Sequence, residues 1–200
     1  GRYEDHVQEP ALAFIEDFGY RLESISPHFR ADTRKTGGSL FRIYRDTRFS
    51  KDKTPYKTNT GMHFRHERAK DAHAPGFYLH LAPDEVFGGA GIWHPDTKTA
   101  NRIRQAILDD PDGWREATRT PPFTDRMDLG GHDNMLKRVP PGLPADHEFA
   151  DDFRRRDYFG WAATTETTVT ADGFLDEYTR MCEAAAPLVR FICRALDLEF

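Results

Sequence analysis

Six cationic side chains, Arg42, Arg45, Arg48, Lys51, Lys53 and Lys57, stand within sixteen residues and face only Asp46 and Asp52. The local excess is +4 in a chain whose formal net charge is −5, so the remainder carries −9. The same stretch holds the hydroxyls of Thr47, Ser50, Thr54, Tyr56 and Thr58, and Pro55 stiffens it. Guanidinium forks, mobile ammonium groups and hydroxyl donors are the combination that grips phosphate or carboxylate. The segment therefore predicts a site for a small anionic or phosphorylated ligand, built from Arg42, Arg45, Arg48, Lys51, Lys53, Tyr56 and Lys57, with Lys137 and Arg138 contributing from a second side. Two other readings compete with it. Asp46 and Asp52 could neutralise the arginines and leave a solvated hairpin, since exposed ion pairs contribute little. Alternatively the patch, with Tyr44, Phe49 and Tyr56, could track a sugar-phosphate backbone or dock a protein. The acidic body of the molecule counts against nucleic acid and against an anionic membrane surface.

Other chemistry has a weaker footing. His63, His66, His80 and His94 fall on or beside expected strands, with His80 and His94 as expected cross-strand neighbours. A metal site needs three or four convergent ligands. The parity of a strand puts His63 and His66 on opposite faces, so neither a metal site nor a cofactor is expected. Asp46 and Asp52 with Lys51 and Lys53 match no divalent-ion spacing. A GxSxG elbow and a GxxxxGK[ST] phosphate loop are absent, and GGAG at 88–91 runs into an expected strand, where it marks a bulge or tight turn. Whether the chain is an enzyme stays open at this level.

The segment RIYRDTRFSKDKTPYKTNTG, Arg42 to Gly61, resembles the hallmark of a family of bacterial and fungal proteins known as domain of unknown function 2461. PGFYLHLAP, GAGIWHP and LKRVPPG resemble that family's later blocks in the same order, so the resemblance covers most of positions 1–160. It implies a further N-terminal stretch with an Asn-rich, Trp-Phe-containing motif, which makes the chain N-terminally incomplete relative to the family. It also implies a basic residue where Pro141 stands. It implies no particular activity.

The elements that must position these residues follow from length and periodicity. Two hundred residues, 38% hydrophobic and including fifteen Phe, suit a single α+β domain with an aromatic core. No stretch approaches the roughly 18 apolar residues of a membrane span, and the start GRYEDHV lacks the pattern of a leader, so a cytoplasmic protein is expected. Cys182 and Cys193, eleven residues apart on an expected helix, would lie about 16 Å from each other, beyond disulfide reach. Val7, Ala11, Phe14, Ile15 and Phe18 predict a first helix that stops at Gly19, with a short strand through Tyr20, Leu22 and Ile25. LFRIYRD, GMHFRH, GFYLHLA and EVFGGAGIW predict an antiparallel meander. A helix starting at Pro95 and Asp96 is expected to end at Pro111 and Gly113, with Trp114 packed on the core. A surface excursion follows from Thr118 to Pro144, then a helix near 147–156 and a strand near Tyr158 to Thr164. The last helix, from Asp172 to Leu196, carries an apolar stripe from Phe174 to Leu196, with Pro187 expected to kink or split it. The expected architecture is an antiparallel β-sheet meander packed against N- and C-terminal helices. Oligomeric state is left open.

Overall fold

Strict alternation of apolar and polar residues builds the sheet. In the computed structural model, which describes residues 1–48, 51–68 and 73–200, the strands are β1 (Thr60–Arg65), β2 (Gly76–Ala82), β3 (Glu85–Ile92), β4 (Asp128–Leu129) and β5 (Tyr158–Thr164). All pairings are antiparallel, in the order β1-β2-β3-β5-β4. Met62 and Phe64 lie opposite Leu79 and Phe77, and all four are buried on one face. Their neighbours turn the other way, so Gly61 and His63 lie opposite His80 and Tyr78 on the second face.

The helices are α1 (Glu9–Ile25), α2 (Thr97–Asp109), α3 (Pro111–Arg119), α4 (Phe123–Arg126), α5 (Ala150–Phe153), α6 (Glu166–Val169) and α7 (Phe174–Ala195). The N- and C-terminal helices α1 and α7 cover the buried face. Their seam is aromatic: Phe18 meets Phe64 edge-on at 4.6 Å and Tyr178 at 4.8 Å, while Phe14 stacks on Phe174 at 5.6 Å. Such ring pairs add roughly 0.5–1.5 kcal/mol each beyond the area they bury. Gly88 lets α7 approach β3, because a Cβ there would lie 2.1 Å from the Met181 sulfur. The GGAG segment thus marks a close helix contact within a continuous ladder. Cys182 and Cys193 are buried free thiols of α7, and burial raises the pKa of both.

Several local expectations yield to tertiary packing. The first helix runs through Gly19 to Ile25, because Leu22 continues the buried Ile15 and Phe18 stripe and the glycine accommodates Ala31. The expected strand through Tyr20 is the last part of that helix. LFRIYRD forms only isolated bridges, Leu40 to Met62 and Tyr44 to Tyr56. Asp96 caps α2 by accepting from the Thr99 N–H at 2.7 Å, and α2 ends at Asp109 just before Pro111, which opens a further helix, α3, that runs through Gly113. Trp114 is fully buried, as expected. The excursion after Thr118 contains α4 and β4 and buries Phe123, Met127 and Leu129. Pro187 leaves α7 continuous over its 22 residues, and the helix near 147–156 shrinks to one turn. No helix among the described residues is long and apolar enough to cross a membrane.

A buried carboxylate joins the second half of the molecule. Asp152 is 2% exposed and accepts hydrogen bonds from the Trp114 indole at 3.0 Å, from Arg119 at 2.9 Å and from Arg155 Nε at 2.6 Å. Its own carbonyl accepts from the Tyr158 hydroxyl. Arg104 of α2 donates to the carbonyls of Phe153 and Arg155, and Arg155 donates to that of Gly130. Removing one member of a buried, hydrogen-bonded ion pair costs about 3–5 kcal/mol, whereas an exposed pair contributes about 0–1 kcal/mol. Asp152→Ala should therefore lower the urea-unfolding free energy by about 3–5 kcal/mol, and Asp176→Ala, which breaks the exposed Arg21–Asp176 pair, by less than about 1 kcal/mol.

Candidate functional site

The basic segment is a hairpin-like loop hung on the β1 edge. Arg45 N–H donates to the Pro55 carbonyl at 2.9 Å, Lys57 N–H to that of Ile43 at 2.8 Å, and Phe41 N–H to that of Gly61 at 2.9 Å. Tyr44 and Tyr56 face each other across the two arms with ring centroids 5.6 Å apart, and remain 59% and 51% exposed. The arms are therefore registered by backbone bonds, with two aromatic rings on the outside.

Within the loop the two acids take up two of the arginines. Arg48 reaches Asp46 with Nη2 at 2.6 Å and Nε at 3.0 Å, and this holds the Asp46 carboxyl down to about 2. Asp52 accepts from Thr54 and from Arg45 and is likewise held well below the usual carboxylate range. Lys53 donates its ammonium to the Thr47 carbonyl at 2.8 Å. Arg45, Arg48 and Lys53 thus brace the loop, and Tyr56 stacks on Tyr44. Arg42, Lys51 and Lys57 form no ion pair among the described residues. Phe49 and Ser50 lie outside those residues.

Arg42 and Lys57 lie within electrostatic reach of each other. Lys57 is partly buried, with its ammonium 5.5 Å from the centre of the Phe41 ring. Burial lowers its pKa, and repulsion from Arg42 lowers it further. Two neighbouring cations, one of them desolvated on an aromatic ring, form the electrostatic feature of this edge that an anion would relieve.

Phe41 connects the loop to the second face of the sheet. Its ring packs at 5.9 Å from Tyr78 and 6.0 Å from His63. Tyr78 donates to or accepts from His80 Nδ1 at 3.1 Å, His80 stacks on Phe87 at 4.8 Å, and Phe87 meets Trp161 edge-on at 6.4 Å. Burial raises the Tyr78 phenol to about 12. Gly89 lies between Tyr78 and Trp161 in the ladder, where an added Cβ would meet Gly160 O, Tyr78 and Phe87 at ordinary contact distances of 3.7–4.0 Å. The result is a partly exposed aromatic surface beginning at the Arg42–Lys57 edge.

The family model described as "Conserved hypothetical protein (DUF2461)" matches residues 1–191. The chain belongs to this family. No curated protein and no solved structure matches it. In this DUF2461 chain the hallmark segment is the basic loop itself, while the PGFYLHLAP and GAGIWHP blocks supply β2, β3 and the turn after them.

Lys137 and Arg138 follow Met135, which bridges to Arg155, on a segment separate from the basic loop. His80 is not the neighbour of His94: it lies opposite Phe87 and Gly61, whereas His94 stands beyond the end of β3. No group of three or more His, Cys, Asp or Glu among the described residues could hold a metal ion. The sequence reading passed over Phe41, Phe87 and Trp161, because their common face depends on strand register. Alternation in GFYLHLA was the one available signal for it.

His63 shows how this face was built. It is buried, and the absence of a side chain at Gly76 makes room for its ring, whose Nε2 would lie 2.4 Å from a Cβ there. Burial lowers its pKa from 6.5 to about 4, with repulsion from Arg65 and His73 adding to the effect. Between those values the unfolded chain holds the extra proton, so this residue's contribution is complete above pH 6.5 and is lost as pH falls toward 4. The shift corresponds to about 3 kcal/mol. Urea melts of His63→Gln against the parent should show a stability difference that changes by about that amount across this window, and a flat difference would contradict the assignment.

Proposed function

We propose that this protein binds a small anionic ligand, phosphorylated or carboxylate-bearing, at the Arg42–Lys57 edge, with its remainder over the aromatic surface of Phe41, Tyr78 and Trp161. The observation that carries the reading is a partly buried Lys57 on the Phe41 ring, its pKa lowered by burial and by the charge of Arg42, with no ion pair on either cation among the described residues. Arg45 and Lys53, bonded to Asp52 and Thr47, hold the loop in shape for this pair. An anion bound there would offset the repulsion between the two cations and restore solvation to Lys57.

The exposed Tyr44–Tyr56 pair supports a second reading, in which single-stranded nucleic acid stacks on the loop. The net charge of −5 favours the small ligand. Salt separates the two, since a partner covering about five phosphates of a single strand loses affinity with a slope near −3.5 in log-log form.

A thermal-shift and calorimetric panel of inorganic phosphate, sugar phosphates, nucleotides and dicarboxylates should contain a ligand that stabilises the fold, by about 2.7 kcal/mol at 100 times its dissociation constant. Lys57→Met and Arg42→Ala should each weaken binding at least ~10-fold, because a charge-assisted hydrogen bond contributes about 1.5–3 kcal/mol. Lys51→Ala should change it by less. A panel in which nothing shifts the midpoint would remove the small-ligand reading, and submicromolar, steeply salt-sensitive oligonucleotide binding would replace it.

A further inference from the structure

A second chemical group lies just beyond the C-terminal end of β3. His94 is one of two residues other than glycine with positive φ, at 50°, among the described residues. That left-handed conformation costs a side-chain-bearing residue energy and persists only where surrounding contacts hold it. The contacts here come from Asp157, which is 2% exposed. Asp157 Oδ1 accepts both from the His94 backbone N–H at 2.6 Å and from its Nδ1 at 3.0 Å, while Oδ2 accepts from the Asn134 amide at 2.9 Å. The positive φ lets two donors of one residue reach a single oxygen. The ring also stacks on Trp93 with centroids 3.9 Å apart, and Trp93 is itself 55% exposed.

The tautomer follows from this geometry. An ionised carboxylate can only accept, so Nδ1 carries a proton, and in the neutral imidazole the Nε2 lone pair is left available. Nε2 makes no hydrogen bond among the described residues, although the His94 side chain is 47% exposed. A buried acid orienting an imidazole whose other nitrogen is available is the arrangement of a general base. Arg156 adjoins Asp157, and Lys137 and Arg138 follow Asn134 within four residues; none of the three forms an ion pair among the described residues, whereas Arg154 is paired with Asp151.

We propose that His94 Nε2 is the proton-accepting group of a hydrolytic site for esters, with Asp157 and Asn134 as positioning residues. Nε2 takes a proton from water while the water oxygen bonds to the electrophilic centre of the ester. The bond to the leaving alkoxide then breaks, and Nε2–H returns the proton to that alkoxide. Ester and water become acid and alcohol, and the imidazole ends neutral. The site stands independently of the Arg42–Lys57 edge.

The test uses the whole chain with p-nitrophenyl phosphate, bis(p-nitrophenyl) phosphate and the mono-p-nitrophenyl ester of succinate, which separate phosphate from carboxylate esters. Hydrolysis of at least one above the buffer rate is expected, with kcat lowered ~100-fold or more in His94→Gln at nearly unchanged KM. Asp176→Ala, which breaks only the exposed Arg21–Asp176 pair, should leave the rate as it was. Nitrogen-15 NMR of the unmodified protein at neutral pH should show His94 protonated on Nδ1 and not on Nε2, and Asn134→Ala should lower kcat and mix the two tautomers. Absence of hydrolysis across the panel, a rate unaffected by His94→Gln, or an Nε2–H tautomer would each overturn the proposal.

Discussion

The carboxylate of Asp152 is the constraint on which the second half of this molecule depends. Placing an ion in a water-excluded interior is costly unless its lone pairs are met by donors, and here the donors come from α3 through Trp114 and Arg119 and from the chain entering β5 through Arg155. Each donor is anchored elsewhere: Arg155 reaches the Gly130 carbonyl beyond β4, and Arg104 ties α2 to the carbonyls around the same turn. The network therefore sets where the segment 152–158 lies against the loop 130–136. Asp157 sits within that segment and Asn134 within that loop, so the orientation of His94 depends on contacts made by Asp152.

A different constraint shapes the first half. Covering only one face of the sheet with α1 and α7 leaves the alternate residues of β1, β2 and β3 to make their own surface. They do so with rings: His63 beside Gly76, Tyr78 against Phe41, His80 on Phe87. Partial burial in such a layer raises a phenol and lowers imidazoles and an ammonium group, as Tyr78, His63, His80 and Lys57 all show. Titratable groups on an incompletely covered aromatic face are disposed toward ligands in a way that the same groups in water are not.

Charge excess and charge availability differ in the basic loop. Counting residues makes the excess +4, yet Asp46 and Asp52 each bind an arginine by side-chain bonds supplemented by backbone N–H donors, and Lys53 closes on a carbonyl. The ion pairs are exposed and contribute little to stability. Their effect is conformational: they brace the loop whose base carries Arg42 and Lys57 within electrostatic reach of each other.

The amino-acid sequence by itself determined the fold class, strands β1, β2, β3 and β5, the covering helices and the basic segment, because these rest on local periodicity and composition that burial on one face enforces. It misplaced the end of α1 at Gly19, since a glycine needed for packing against Ala31 read locally as a stop signal, and it placed the end of α2 at Pro111 without the helix that this proline opens. Only the tertiary structure decided which cations of the loop are neutralised, because Asp46 and Asp52 could have reached any of six partners. It alone also joined His94 to Asp157, 63 residues away, and put Phe41, Tyr78 and Trp161 on one surface. Those groupings depend on strand register and on a buried charge network, and neither leaves a local signature in the order of residues.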